Sequence, residues 1–257
     1  MNGAKRRLLI FEQLKEAKSV EVKQLAKQYE VSPMTIRRDL SLFAKQGLVS
    51  LNYGGAILNE GSGVEASFSL KAAQAQSAKA AIAKEAARLV NEGETILLDC
   101  GTTTYEMAKY LSDKAITVIT NSWKILQVLQ NTPKIKVILA PGTYSRISQG
   151  AISSDTIRFI GEHHVDHVFM STQGLDLAWG ASVPDEMDAN VKQALMKAGS
   201  HCILLADQNK FDQRYFARYA KIDEFDLVIS DRQLEEAEKQ ALKQMRTGYL
   251  QVIVHSA

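Results

Sequence analysis

Cysteine is nearly missing from this sequence: Cys100 and Cys202 lie far apart, and no C-x-x-C occurs. Two distant thiols exclude a disulfide framework and suit a reducing compartment, where both are expected to be buried small hydrophobes. Long apolar runs are also lacking, and nothing approaches the roughly 20 residues that span a bilayer, so no membrane partner is expected. At the N-terminus the apolar run Leu8 to Phe11 is followed at once by Glu12 and Lys15, too little for a signal peptide, and the expectation is a cytoplasmic protein. No G-x-S-x-G, Walker A or H-E-x-x-H pattern occurs, which leaves hydrolase and nucleotidase chemistry without an anchor. What is present is ordinary for a globular chain: 257 residues, 46% hydrophobic and 23% charged. The length exceeds the common domain size of about 100 to 150 residues, so two domains are expected.

Charge divides them. Up to Leu58 there are ten Lys or Arg against five Asp or Glu, a balance of +5, and beyond it 21 against 24, a balance of −3. A basic block on a short segment is the footprint of a polyanion-binding module. Within it Ile10, Phe11 and Leu14 follow helical spacing, as do Val22, Leu25, Ala26 and Tyr29. Ser32 is a natural N-cap and Pro33 suits a first helical position, so a third helix is predicted from Pro33 until Gly47 stops it. Ile36, Leu40 and Phe43 make its apolar stripe, which leaves Met34, Thr35, Arg37, Arg38, Ser41 and Lys45 toward the other side. Val49 to Leu51, turning at Asn52 to Gly55 into Ala56 to Leu58, reads as a hairpin wing with Tyr53 in its turn. A short helix, a tight turn and a basic helix is the geometry that enters the major groove of double-stranded DNA, where arginine bridges guanine edges or phosphates. Residues 1–58 are therefore expected to be a winged helix-turn-helix domain.

Residues 59–70 shift to Gly, Ser, Asn and Glu and read as a linker. Gly61-x-Gly63-x-x-Ala66 superficially matches a dinucleotide fingerprint, but the strand before it is the short wing and no amphipathic helix opens at its third position. Residues 71–257 begin with an Ala-rich helix predicted over 71–90. Apolar strands then alternate with amphipathic helices, the pattern of an α/β domain with a mainly parallel sheet. Ligands of such sheets sit at the carboxyl ends of strands. There the sequence has Asp99-Cys100-Gly101-Thr102-Thr103-Thr104, then Thr120-Asn121, Gly142, Gln173-Gly174-Leu175-Asp176, and Asp207 with Lys210. The loop from Asp99 opens a helix, so backbone N–H groups and threonine hydroxyls converge as an anion site requires, and phosphate is the expected guest.

Ser32 to Leu40, Gly47-Leu48 and Tyr53-Gly54-Gly55-Ala56 together resemble the DNA-binding signature of the DeoR family of bacterial regulators. Gly101 to Thr104, Thr120-Asn121, the Gly174 loop, Val191-Lys192 and Leu205-Ala206-Asp207 with Lys210-Phe211 extend the resemblance to about Asp231. It implies a sensor fold related to ribose-phosphate isomerases, a phosphorylated sugar as effector, Lys192 among the effector-site residues, relief of repression on effector binding, and a homo-oligomer. Three places depart from the family pattern: the wing has Ser50, Leu51 and Tyr53 where basic residues and a His are usual, Pro141 to Ser145 replaces a Gly-Gly and Thr-Tyr-Arg run, and Ser153 replaces a glycine.

Two rival readings stand beside this one. In a sugar-phosphate isomerase, Asp99, Asp176 or Asp207 would be the base and Lys192 or Lys210 would steady an enediolate, but an isomerase has no use for the N-terminal head. In an effector-independent DNA-binding protein the threonine loop would be a mere helix cap. His163, His164 and His167 with Asp166 are too crowded along the chain to face one ion, so neither metal nor cofactor is expected.

Overall fold

In the computed structural model, which describes residues 2–45, 48–59 and 66–254, the chain divides between Gln74 and Ala75 into two units. Gly47, Gly61 and Gly63 lie outside the described residues. Asn2 starts α1 (Gly3–Ala17) by accepting the Lys5 N–H at 2.9 Å. After β1 (Ser19–Glu21) come α2 (Val22–Gln28), α3 (Pro33–Lys45), β2 (Val49–Leu51), β3 (Gly55–Leu58) and α4 (Phe68–Ala73). The helices close on Ile10, Leu14, Leu25, Ile36, Leu40 and Phe43, with the Phe11 and Phe43 rings 5.7 Å apart. The expected wing is present, and β1 joins it to make a sheet in the order β1-β3-β2.

Gly55 is required where β3 crosses β1, since a Cβ there would lie 1.8 Å from the Val20 carbonyl oxygen. Gly55→Ala is accordingly expected to cost the N-terminal unit about 1–3 kcal/mol, read as a lower melting temperature, by forcing the two strands apart. An unchanged melting temperature would mean that the wing absorbs the methyl group.

The division differs from the sequence expectation. Residues 66–70 are not all linker, because Phe68 and Leu70 are buried and Leu70 belongs to the N-terminal core. The single helix predicted over 71–90 is two, α4 and α5 (Gln76–Arg88), broken where Ala75 takes a left-handed φ of 48°. Alanine favours helix, so its identity gives no warning of this break.

The second unit continues with β4 (Thr95–Leu98), α6 (Thr102–Ala108), β5 (Ile116–Thr120), α7 (Trp123–Leu129) and β6 (Ile135–Leu139). Next come β7 (Tyr144–Ser145), β8 (Gly150–Ala151), α8 (Ser154–Gly161), β9 (Val165–Ser171), β10 (Gly174–Asp176), β11 (Gly180–Val183) and α9 (Glu186–Lys197). The unit ends with β12 (Gly199–Leu205), β13 (Ala217–Ala220), β14 (Leu227–Ser230), α10 (Glu236–Gln244) and β15 (Gly248–Gln251). Seven strands form one parallel sheet in the order β15-β14-β12-β9-β4-β5-β6. Both faces are covered. Ile96, Leu98, Phe169 and Ile203 point into the core shared with α5, α6 and α7, whereas Leu97, Val168, Met170 and Leu204 point toward α8 and α9. Burial on both faces explains why the strands read as continuous apolar runs. Strand β4 starts the sheet in its middle, β5 and β6 extend it one way, and the chain returns to lay β9 on the other side of β4. The gap between β4 and β9 is therefore the topological switch point, where open parallel sheets hold their ligands. Among the described residues no helix is long and apolar enough to cross a membrane.

Candidate functional site

Helix α3 begins on Ser32, whose Oγ accepts the Thr35 N–H at 3.1 Å and lies 2.9 Å from Thr35 Oγ1. Met34, 60% exposed, Arg37, Arg38 and Lys45 lie open on the helix surface, while Thr35 and Ser41 are half-buried. Ser41 Oγ donates to the Arg37 carbonyl at 2.7 Å, so its proton is spent within the helix. Tyr53 is fully exposed at the wing tip, above a turn in which Asn52 Oδ1 accepts the N–H groups of Gly54 and Gly55. Sequence reasoning missed Asp39. It lies on the buried face of α3, and its carboxylate accepts from Arg6 Nε at 2.7 Å and Arg7 Nη1 at 3.4 Å. The pair ties the first turn of α1 to the middle of α3 and neutralises a carboxylate that would oppose a polyanion beside Arg37 and Arg38. The available signal was the charge clash of Lys5-Arg6-Arg7 in a helix's first turn, where cations oppose the dipole and call for a compensating acid.

In the second unit the residues after β4, β5 and β9 meet at the switch point. Asp99 is fully buried: Oδ1 accepts the Cys100 N–H at 2.7 Å, and Oδ2 accepts from Ser171 N (3.1 Å), Ser171 Oγ (2.6 Å) and Lys192 Nζ (2.6 Å). Lys192 Nζ also donates to the Ser171 carbonyl at 3.1 Å, and Tyr219 Oη donates to the same oxygen at 3.0 Å. Burial pushes the Asp99 carboxyl upward, but the Lys192 charge and the hydrogen bonds from Lys192 and Ser171 outweigh it, and the group stays below its ordinary value. Burial pulls the Lys192 ammonium down, and the negative charge of Asp99, then of Asp188, lifts it well above the ordinary lysine value. Both groups are held charged.

Gly101 follows because a Cβ there would lie 1.8 Å from Ser171 Oγ. Thr104 turns inward and its hydroxyl donates to the carbonyls of Asp99 and Gly101, at 2.6 and 2.9 Å. Thr120 likewise donates to the Leu98 carbonyl at 2.7 Å. The hydroxyls of Thr102 and Thr103, at the start of α6, make no hydrogen bond to any described residue. Asn121 Nδ2 donates to the Ala151 carbonyl at 3.0 Å, while its buried Oδ1 has no hydrogen-bond partner among the described residues. The β7–β8 hairpin closes over this corner, and Gly150 lets it approach, since a Cβ there would lie 2.6 Å from that of Cys100.

The remaining candidates have local partners. Gly142, with φ 145°, is pressed against Thr156 and Ser153 at the start of α8. Gly174 allows β10 to lie against the Gln213 carbonyl. Asp176 accepts from Ala178 N, Trp179 N and Arg214 Nε, with the Arg214 hydrogen bond foremost in lowering its pKa. Asp207 Oδ1 caps the 3-10 turn Gln208–Lys210 by accepting the Asn209 N–H at 3.1 Å. Ser171 and Tyr219 were missed: the one reads as the last residue of a strand, and the other comes from a distant strand. His163, His164 and His167 separate, bonding to the Phe159 carbonyl, Ser200 Oγ and Glu94 Oε2 respectively. Among the described residues no three His, Cys, Asp or Glu side chains are grouped to hold a metal ion.

A helix-turn-helix head with an exposed basic helix, carried on the same chain as a doubly covered parallel α/β unit, defines a DNA-binding regulator with a separate sensory part. The DeoR-like helix-turn-helix domain matches residues 6–62 and the DeoR C-terminal sensor domain matches residues 74–232. The chain belongs to the DeoR family of transcriptional regulators. An uncharacterized helix-turn-helix-type regulator of Bacillus subtilis strain 168, YulB, is 34% identical over 240 residues, 93% of this chain and 93% of its own. The glycerol-3-phosphate regulon repressor of Escherichia coli K12 is 29% identical over 223 residues, 86% of this chain and 88% of its own. Among solved structures, ribose 5-phosphate isomerase A of Methanocaldococcus jannaschii aligns over 52% of this chain and 53% of its own, at 16% identity and a TM-score of 0.39, too distant a likeness to bear on function.

Proposed function

We propose that the protein represses carbohydrate-metabolism genes, binds its operator as a homo-oligomer through α3 and the wing, and releases it when a phosphorylated sugar or related metabolite occupies the β4–β9 switch point. Met34, Arg37 and Arg38 read bases or phosphates, with Ser32, Thr35, Ser41, Lys45 and Tyr53 supporting the docking. The observation that carries the effector half is the pair of unengaged hydroxyls, Thr102 and Thr103, at the helix start beside a buried, unsatisfied Asn121 Oδ1. Backbone N–H groups and hydroxyls there suit phosphate oxygens, and the acceptor on Asn121 suits a ligand hydroxyl. Gly101 and Thr104 shape the loop, Thr120 and Lys192 support it from beneath, Gly142, Asp207 and Lys210 belong to the surrounding strand-end loops, and Gly174 and Asp176 to β10. A glycerol-3-phosphate regulon repressor among the relatives supports this choice of effector chemistry.

Binding without turnover fits Asp99 better than catalysis does. Its carboxylate is fully buried and already accepts four hydrogen bonds, which leaves it badly placed to take a substrate proton.

Titration of the full chain with a panel of sugar phosphates, followed by thermal shift and by product analysis, tests the reading. A saturable stabilisation with no product supports it, and turnover or the absence of any shift refutes it. Thr103→Val is expected to weaken the effector response about tenfold or more through loss of a hydrogen bond to a charged group, with DNA affinity retained. An unchanged dose response would remove the threonine loop from the site.

A further inference from the structure

Helix α9 serves two places. Lys192 reaches the switch point, while Gln193 and Lys197 line a separate cavity of about 290 Å³ together with Arg218 and Tyr219 of β13, Lys221 and Glu224. Its charges do not cancel, for three cations face one carboxylate, an excess of two positive charges. That carboxylate is engaged, since Glu224 Oε2 accepts the Lys221 N–H at 2.6 Å. Lys197, Arg218 and Lys221 form no ion pair with any described residue. Arg218 is nevertheless held in place: Nη1 donates to the Trp179 carbonyl at 3.2 Å, and its guanidinium lies 5.7 Å from the Trp179 ring. Gly180, with φ 120°, lets β11 sit this close to β13, because a Cβ there would lie 2.1 Å from the Ala220 carbonyl oxygen.

Like charges gathered round a concave surface repel one another, and an oxyanion that enters relieves them. An arginine fork flanked by lysines suits such a group. The volume is at the small end for metabolite sites. We propose that this cavity is a second ligand site of the sensor unit, taking a small organic dianion, a phosphate monoester or a dicarboxylate. It adjoins the switch point through Tyr219, which lines the cavity and whose hydroxyl donates to the Ser171 carbonyl at 3.0 Å.

The two tryptophans of the chain, Trp123 and Trp179, allow a direct test. In the full chain carrying Trp123→Phe, Trp179 is the sole indole and lies against Arg218. Inorganic phosphate and succinate are titrated separately at an ionic strength held constant with chloride. A saturable change in Trp179 emission is expected with at least one of them, and the one that binds identifies the source of the dianion. Adding Lys197→Ala and Lys221→Ala, both exposed positions, is expected to weaken that binding at least tenfold, on the scale of one lost charged hydrogen bond, whereas adding Thr103→Val leaves it unchanged. The proposal is overturned if neither anion gives a saturable change, if the double lysine variant binds as well as its parent, or if Thr103→Val abolishes the signal.

Discussion

Lys192→Met is expected to destabilise the sensor unit by about 3–5 kcal/mol, because it leaves the carboxylate of Asp99 buried without its counter-charge. Ser171 and the Cys100 N–H still donate to that carboxylate, so the loss is that of the ion pair and not of every hydrogen bond. Adding Asp99→Asn removes the stranded charge and should recover much of the loss, the signature of direct coupling in a double-mutant cycle. The pH dependence carries a sign. With its pKa lowered, Asp99 contributes stability that is present above its unfolded value of about 3.9 and lost as pH falls through the folded value. With its pKa raised, Lys192 contributes stability that is present below its unfolded value of about 10.4 and lost as pH rises through the folded value. The pair therefore supports the native unit fully from about pH 5 to 9. In Lys192→Met, burial, the largest influence on Asp99, is opposed only by the hydrogen bonds from Ser171 and Cys100, so acidification from pH 7 to 5 should shrink the deficit as the carboxyl protonates. Urea unfolding at both pH values reads this out, and a deficit below about 1 kcal/mol at pH 7 would show the pair to be a spectator.

The second large effect belongs to the other unit. Arg37→Ala should lower discrimination between an operator selected from a random duplex pool and a scrambled duplex by about 5- to 150-fold, the worth of one bidentate base contact. A residue that touches phosphate alone would weaken both duplexes equally and reduce the salt slope by about one unit. Measuring affinity for both duplexes across a salt series separates these roles. Unchanged discrimination would take base reading away from Arg37.

Much of this architecture was legible because the physics is local. The Ser32 cap, the Ile36–Leu40–Phe43 stripe and the Asn52–Gly55 turn are each decided within a few residues. The strands read from the sequence are apolar because both faces of the sheet are covered. What escaped depends on chain-distant partners or on irregular backbone. Asp99 meets Ser171 and Lys192 far along the chain, and Tyr219 comes from further still. Asp39 is an acid on an apolar stripe, understood only once Arg6 is seen against it. Short strands such as β1, β7 and β8 carry too few residues for a period to register. Of the thirteen proposed effector-site residues, twelve come from five strand ends alike and Lys192 from the family resemblance. The fold ranks them: those after β4 and β5, with Lys192, gather at the switch point, whereas Asp176 and Asp207 serve their own turns.

The order of the sheet also gives it a seam. Between β4 and β9 the ladder pairs Ile96, Leu97 and Leu98 with His167, Val168 and Phe169, whereas β9 runs beside β12 from Val165 to Ser171. Past the last rung the Asp99 N–H still donates to the Phe169 carbonyl at 3.2 Å, and beyond it the Asp99 carboxylate takes over by receiving the Ser171 N–H. One half-sheet is thus laced to the other at its open end by the Asp99 side chain as well as by main chain. A molecule seated on Gly101 to Thr103 would press on that lacing, so its arrival could be felt as a change in the splay of two rigid leaves.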